Sequence, residues 1–357
     1  MNQNVQIIEN TTIKETIIPE EISKRITSLR FLLITFVVFL HVLPEEAMAS
    51  DKNLWLFIRT SFLNICNTAV PLFFLFASYL QFYKADKYPI LLKKRLKSLL
   101  LPYIIWTFIC MLFYFCVQSF TQFNSFFRDI DIIRNWQLKD YFQAFFYHRK
   151  EGLKQPLLGQ YWFIRELILL ILFSPVIKLI FDKCKGFLLL FAALLLFGNI
   201  PLFVLVDTRA LFFYILGMYF AKSENISFFD IADYFKLYEY IIIFFLFQLL
   251  KIFNFSFSAL ELLVNCLFIL NISKYLILKE KVYNKLKFLA GFSFFLYSIY
   301  WPFIINPLKA IIPKFISYNP LQFFIIGFGC IFLGTLIGII LKKICLPLFA
   351  LLNGGRK

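Results

Sequence analysis

Of 357 residues, 61% are hydrophobic and only 16% charged, more apolar surface than a soluble domain can absorb. Apolar runs long enough to cross a bilayer recur along the whole length, so the chain reads as an all-α integral membrane protein. The net charge of +16 follows from lysines and arginines clustered at one set of helix ends, held there by anionic lipid, and calls for no nucleic-acid partner.

Residues 1–21 are polar and mixed in charge and read as a disordered cytoplasmic tail. They carry no small-residue cleavage site after an apolar stretch, so no cleavable signal peptide is expected. One transmembrane domain over 22–350 follows, with about ten transmembrane helices at 26–43, 60–82, 98–118, 161–181, 187–206, 209–222, 237–254, 257–278, 288–308 and 320–341. Between the third and fourth, the long outer loop 119–160 mixes Trp136, Tyr141, Phe142 and Tyr147 with charges, a composition suited to an amphipathic helix lying on the membrane surface. Residues 351–357 read as a second cytoplasmic tail.

The sixth span, 209–222, is short, and charge is what argues for it. With N- and C-termini both cytoplasmic, ten spans put 24 of the 37 basic residues inside. Without that span the Lys274–Lys287 cluster and the Lys342–Lys343 pair would fall outside. The seven cysteines are scattered through apolar segments, with neither metal-ligand spacing nor a disulfide frame, and read as free thiols. No metal is expected.

Ionisable groups inside spans cost roughly 2.5–3.5 kcal/mol each on insertion scales, so each marks a candidate site. In the first span ten residues separate Arg30 from His41, one of two histidines in the chain. A helix rising about 1.5 Å per residue sets them roughly 16 Å apart. Arg30 either snorkels to the inner headgroups or faces the bundle and holds a phosphate or carboxylate. His41 is either a satisfied interfacial histidine or a general base suited to neutral pH. Arg165 and Glu166, at the start of the fourth span, fall near the depth of His41. Glu166 either orients that imidazole or pairs with Arg165. Asn64, Asn67 and Thr68 lie at similar depth and either bond to a ligand or join helices. The cluster Lys93-Lys94-Arg95-Leu96-Lys97 before the third span is either a topogenic signal or a phosphate clamp near the Arg30 end. No phosphate-binding glycine pattern accompanies it.

Taken in order, these residues resemble acyltransferase family 3, the integral-membrane acyltransferases. Arg30 through His41 is similar to that family's Arg-ten-residues-His signature. Pro71-Leu72-Phe73-Phe74-Leu75-Phe76-Ala77-Ser78-Tyr79 resembles its second span. Lys94-Arg95-Leu96-Lys97 with Pro102-Tyr103 and Trp106 resembles the basic motif opening its third. Tyr161-Trp162-Phe163-Ile164-Arg165-Glu166-Leu167 with Pro175, and Leu216-Gly217-Met218-Tyr219, are similar to later landmarks. Two departures stand out. Ser98 occupies the place of a second arginine after Arg95, where Lys97 offers a point charge in place of a bidentate fork. Tyr300 stands where many members carry a second histidine after Tyr297.

The resemblance implies ten spans and transfer of an acyl group, usually acetyl, to a hydroxyl of an extracytoplasmic or lipid-linked glycan. The co-substrate is then acetyl-CoA or another acyl-CoA. Arg30, Arg95, Lys97 and Lys94 would hold it on the cytoplasmic side. His41 would be the general base with Glu166 as its acid partner, and Arg165, Trp162, Asn67 and Tyr300 would contact the acceptor. Localisation would be a bacterial plasma membrane. A transporter or flippase of a glycan or lipid-linked sugar is the alternative built on the same polar interior; a scaffold subunit is disfavoured by Arg30 and Glu166. The sequence leaves the acceptor, the acyl group and the oligomeric state unread.

Overall fold

The computed structural model describes residues 18–42, 54–84, 86–120, 133–147, 155–184, 186–198, 206–223 and 226–356. Residues 1–17 of the expected tail and 121–132 and 148–154 of the expected outer loop lie outside these. Every regular element among the described residues is helical. The first helix, α1 (Glu20–Leu40), opens with Glu20 and Glu21 in its first turn, where carboxylates suit the helix dipole. It stops four residues before Pro44, a residue without an N–H whose ring would meet the Leu40 carbonyl.

Proline breaks recur down the chain. α2 (Leu54–Cys66) and α3 (Ala69–Lys84) are one rod interrupted at Asn67–Thr68. Pro71 cannot donate to the Asn67 carbonyl, and the Thr68 hydroxyl turns back to Ile65 O at 2.7 Å. α4 (Tyr88–Arg95) passes through a π-helical turn, Leu96–Leu100, into α5 (Leu101–Val117). Pro102 leaves the Ser98 carbonyl there without its helical donor. The short α6 (Leu138–Gln143) precedes α7 (Trp162–Leu172) and α8 (Ser174–Cys184). Pro175 divides these last two, and the Ser174 hydroxyl donates to the freed Ile171 carbonyl at 2.7 Å.

α9 (Gly186–Phe197), α10 (Thr208–Lys222), α11 (Phe228–Tyr234), α12 (Leu237–Ile252), α13 (Ser258–Leu278) and α14 (Glu280–Ala290) follow. α15 (Ser293–Ile299) joins α16 (Ile305–Phe315) through a second π-helical turn, Tyr300–Ile304, which contains Pro302. α17 (Asn319–Ile344) and α18 (Leu346–Leu352) complete the order.

Among the described residues, five stretches are long and apolar enough to cross a membrane: Leu54–Lys84, Tyr88–Val117, Ser258–Leu278, Ser293–Phe315 and Asn319–Ile344. α1 has the length, 21 residues, but carries Lys24, Arg25 and Arg30. The predicted fifth, sixth and seventh spans correspond to α9, α10 and α12, of 12, 15 and 16 residues.

α1 is buried on most of its circumference and packs against α2, α3, α13, α14, α15 and α17. It is the central rod on which the site is built. Arg25 fixes it: its guanidinium forks onto the Asp233 carboxylate of α11 at 2.8 and 2.9 Å and donates to Ser273 Oγ and Leu270 O of α13. α3 and α10 touch backbone to side chain at Gly217, where an added Cβ would come 2.4 Å from the Leu75 carbonyl oxygen.

The amphipathic surface helix expected in the 119–160 loop is short, the six residues of α6, and is tied down. The Gln118 side chain accepts the Ile133 N–H at 2.9 Å, and Tyr103 and Arg165 donate to the Phe145 and Phe146 carbonyls. The segment after α18 turns back into the bundle, with Asn353 wholly buried.

Candidate functional site

Arg30 and His41 lie on one unbroken helix, the arginine in its interior and the histidine as its C-cap. At that cap the His41 N–H closes onto Val38 O at 3.0 Å, one residue short of the α-helical partner. The Val37 carbonyl is one of the acceptors that a helix end leaves over. The His41 ring takes it, with Nδ1 2.8 Å from Val37 O. A carbonyl only accepts, so Nδ1 carries the proton and Nε2 the lone pair. Tyr300 Oη also lies 3.2 Å from Nδ1. Tyr300 is fully buried on the second π-helical turn. The helix end and the tyrosine are thus two of the groups that hold the His41 ring.

The same end holds a polar cavity of about 1060 Å³. Phe39, two residues before His41, meets the Phe62 ring of α2 at 5.2 Å, two residues before Asn64. Asn64 and Asn67 line the cavity from the α2–α3 break, Trp162, Arg165 and Glu166 from the start of α7. Gln160 and Tyr161 attach α7 to the Tyr300 segment: Gln160 Nε2 donates to Trp301 O at 2.8 Å and Tyr161 Oη to Ser298 Oγ at 2.7 Å.

Glu166 accepts the Asp207 N–H at 3.1 Å and sits 3.7 Å from an Arg165 nitrogen. Of the two roles open to it, the pairing with Arg165 is present; the His41 ring is oriented from Val37 and Tyr300. Asp207 also caps α10, accepting the Arg209 N–H at 2.7 Å. Burial pushes its carboxyl up, but the Arg209 hydrogen bonds and charge outweigh this and hold it below its ordinary range.

Sequence reasoning passed over part of this lining. Lys251 pairs with Glu261 at 2.6 Å, and Gln248 bridges Glu261 at 2.9 Å to Ser61 at 3.0 Å. The signal was available, since Lys251 and Glu261 are themselves ionisable residues within predicted spans.

At the other end of α1, Arg30 and Arg95 have no carboxylate partner among the described residues, each half-buried. Of the rest of the basic cluster, Lys94 pairs with Asp86 at 2.9 Å, and both Lys94 and Lys97 are exposed. The rod thus carries a guanidinium without a carboxylate partner in its interior and an imidazole at its C-cap; neither His41 nor Tyr300 is among the residues lining the cavity.

A family model described as an acyltransferase domain, that of acyltransferase family 3, matches residues 24–342. Neither a curated protein nor a solved structure matches the chain.

Proposed function

The chain belongs to acyltransferase family 3, and from that premise we propose that it transfers an acyl group, acetyl by preference, from cytoplasmic acyl-CoA to a hydroxyl of an extracytoplasmic or lipid-linked glycan. The observation that carries this reading is the α1 rod itself, with free guanidinium charge at Arg30 and an oriented imidazole at His41. The Arg30 end faces the cytoplasm, where acyl-CoA is made, and Arg30 and Arg95 hold its phosphates. An extended pantetheine arm covers the roughly 16 Å to His41.

At the far end the acceptor lies in the cavity against Trp162, Arg165 and Asn67. Its hydroxyl gives its proton to His41 Nε2 while its oxygen attacks the thioester carbonyl. The C–S bond then breaks, and the departing thiolate takes the proton back from the imidazolium. The products are the glycan ester and free CoA. Tyr300 is a positioning residue, touching Nδ1 rather than the reacting atoms. The ten-span topology with both termini cytoplasmic belongs to the same proposal.

His41→Ala tests it. The variant is expected to purify as the folded protein while acylation of surface glycans, read by mass spectrometry, drops by about 10² or more, the usual contribution of a general base. Full acylation by the variant would overturn the reading. Glycan movement in vesicles lacking acyl-CoA, with no change in surface acylation, would favour transport instead.

A further inference from the structure

The segment after α18 is placed with more care than a tail needs. Trp106 of α5 donates to Leu352 O at 2.9 Å. Asn353 Nδ2 donates to Gly291 O at 2.8 Å and to Arg356 O at 3.1 Å, and Asn353 Oδ1 accepts the Phe295 N–H at 3.0 Å. Gly354 and Gly355 then take left-handed φ of 71° and 79°, which side chains rarely adopt. Gly354 presses on the Ser98 carbonyl that Pro102 leaves free, and a Cβ there would lie 2.5 Å from that oxygen. The turn is therefore wedged between the π-helical turn after Arg95 and the start of α15, and it delivers one side chain, Arg356.

The Arg356 guanidinium lies 5.1 Å from the centre of the Phe294 ring and remains open to solvent. No carboxylate accompanies it among the described residues. Gly354 sits against Ser98, three residues after Arg95, and Arg356 feels the like charges of Arg30 and Arg95. Guanidiniums within electrostatic reach and without an acid among the described residues suit an anion, and the chemistry they fit is a phosphate.

Resting on the acyl-CoA reading above, we infer that Arg356 is a third donor-binding residue, carried by the Asn353–Gly355 turn against Ser98 and so to the end of the bundle that holds Arg95, to grip the phosphates of the CoA moiety. The other source of phosphate, an anionic lipid headgroup, is an outcome of the test.

The test uses the full chain in detergent and reads the melting temperature against CoA, then against phosphatidylglycerol. Wild type is expected to be stabilised by CoA. Arg356→Gln should raise the apparent Kd for CoA by about tenfold or more, as loss of a charge-assisted hydrogen bond implies. Arg356→Lys should recover only part, since a point charge replaces a fork. Without ligand, Arg356→Gln should melt no lower than wild type, because a charge repelled by Arg30 and Arg95 has gone; a merely structural arginine would lower it. An unchanged Kd in Arg356→Gln, alongside lost binding in Arg30→Gln, would overturn the role of Arg356 and leave the donor reading standing. An Arg356→Gln variant that keeps the CoA response and loses the phosphatidylglycerol response would make this a lipid site. No CoA response in wild type would overturn both.

Discussion

Arg25 and Arg30 are five residues apart on one helix and have opposite fates. Arg25 is 2% exposed, with Asp233, Ser273 and Leu270 O around its guanidinium and the Phe229 ring 4.1 Å away. Its charge is spent on architecture. Arg30 has no such partner among the described residues, which is why the proposal gives it the donor's phosphates. The contrast predicts opposite mutational signatures. Asp233→Asn leaves the buried Arg25 with only the exposed Glu21 carboxylate, 3.8 Å away, and is expected to cost about 3 kcal/mol of stability, read as a lowered thermal midpoint. An unchanged midpoint would mean that Ser273 and the Leu270 carbonyl suffice. Arg30 and Arg25 look alike in the sequence, as two cations near the start of an apolar run. Their partners come from α11 and α13, more than 200 residues away.

Among the elements, the breaks matter more than the rods. Pro71, Pro102 and Pro302 each interrupt a helix, and the interruptions hold Asn67 beside the cavity, Ser98 under the Gly354 turn and Tyr300 against His41. Hydropathy averages over a window do not register a missing N–H, so the expected spans 60–82 and 288–308 run through the breaks at Pro71 and Pro302, while the expected 98–118 begins after α4 and leaves it out. The glycine of the Leu216–Tyr219 landmark is a contact between elements. At Gly217, α3 and α10 approach so closely that even a methyl group meets the Leu75 carbonyl. Gly217→Ala is expected to destabilise by about 1–3 kcal/mol, as overpacking does, and Gly217→Val by more, in thermal unfolding of the purified protein. A neutral alanine would mean that α10 can shift away from α3 freely.

The whole molecule has two ends of different chemistry. Arg30 lies toward one end of the α1 rod, with Arg356 feeling its charge and that of Arg95, and His41 with Tyr300 at the other. If acyl-CoA enters at the arginine end, acyl transfer in sealed vesicles should run with added acyl-CoA when the cytoplasmic face is outward and stop when it is inward. Equal rates in both orientations would sink the two-ended route. Much of this division was legible in the chain: the helical membrane class, the family, the Arg30–His41 spacing along one rod and the grouping of Trp162, Arg165, Glu166 and Asn67 by depth. These are properties of local composition and helical rise, which a sequence carries without knowing its neighbours. The tertiary structure decided the partners. It held the His41 ring with Val37 and Tyr300, turned Glu166 toward Asp207 and Arg165, and spent Arg25 on Asp233. It also packed the Gly354 turn, and with it Arg356, against Ser98 at the end of the cluster that holds Arg95. Each of these joins residues distant in sequence or depends on how a helix end leaves its carbonyls. Burial and hydrogen bonding between such groups are fixed only when the helices pack.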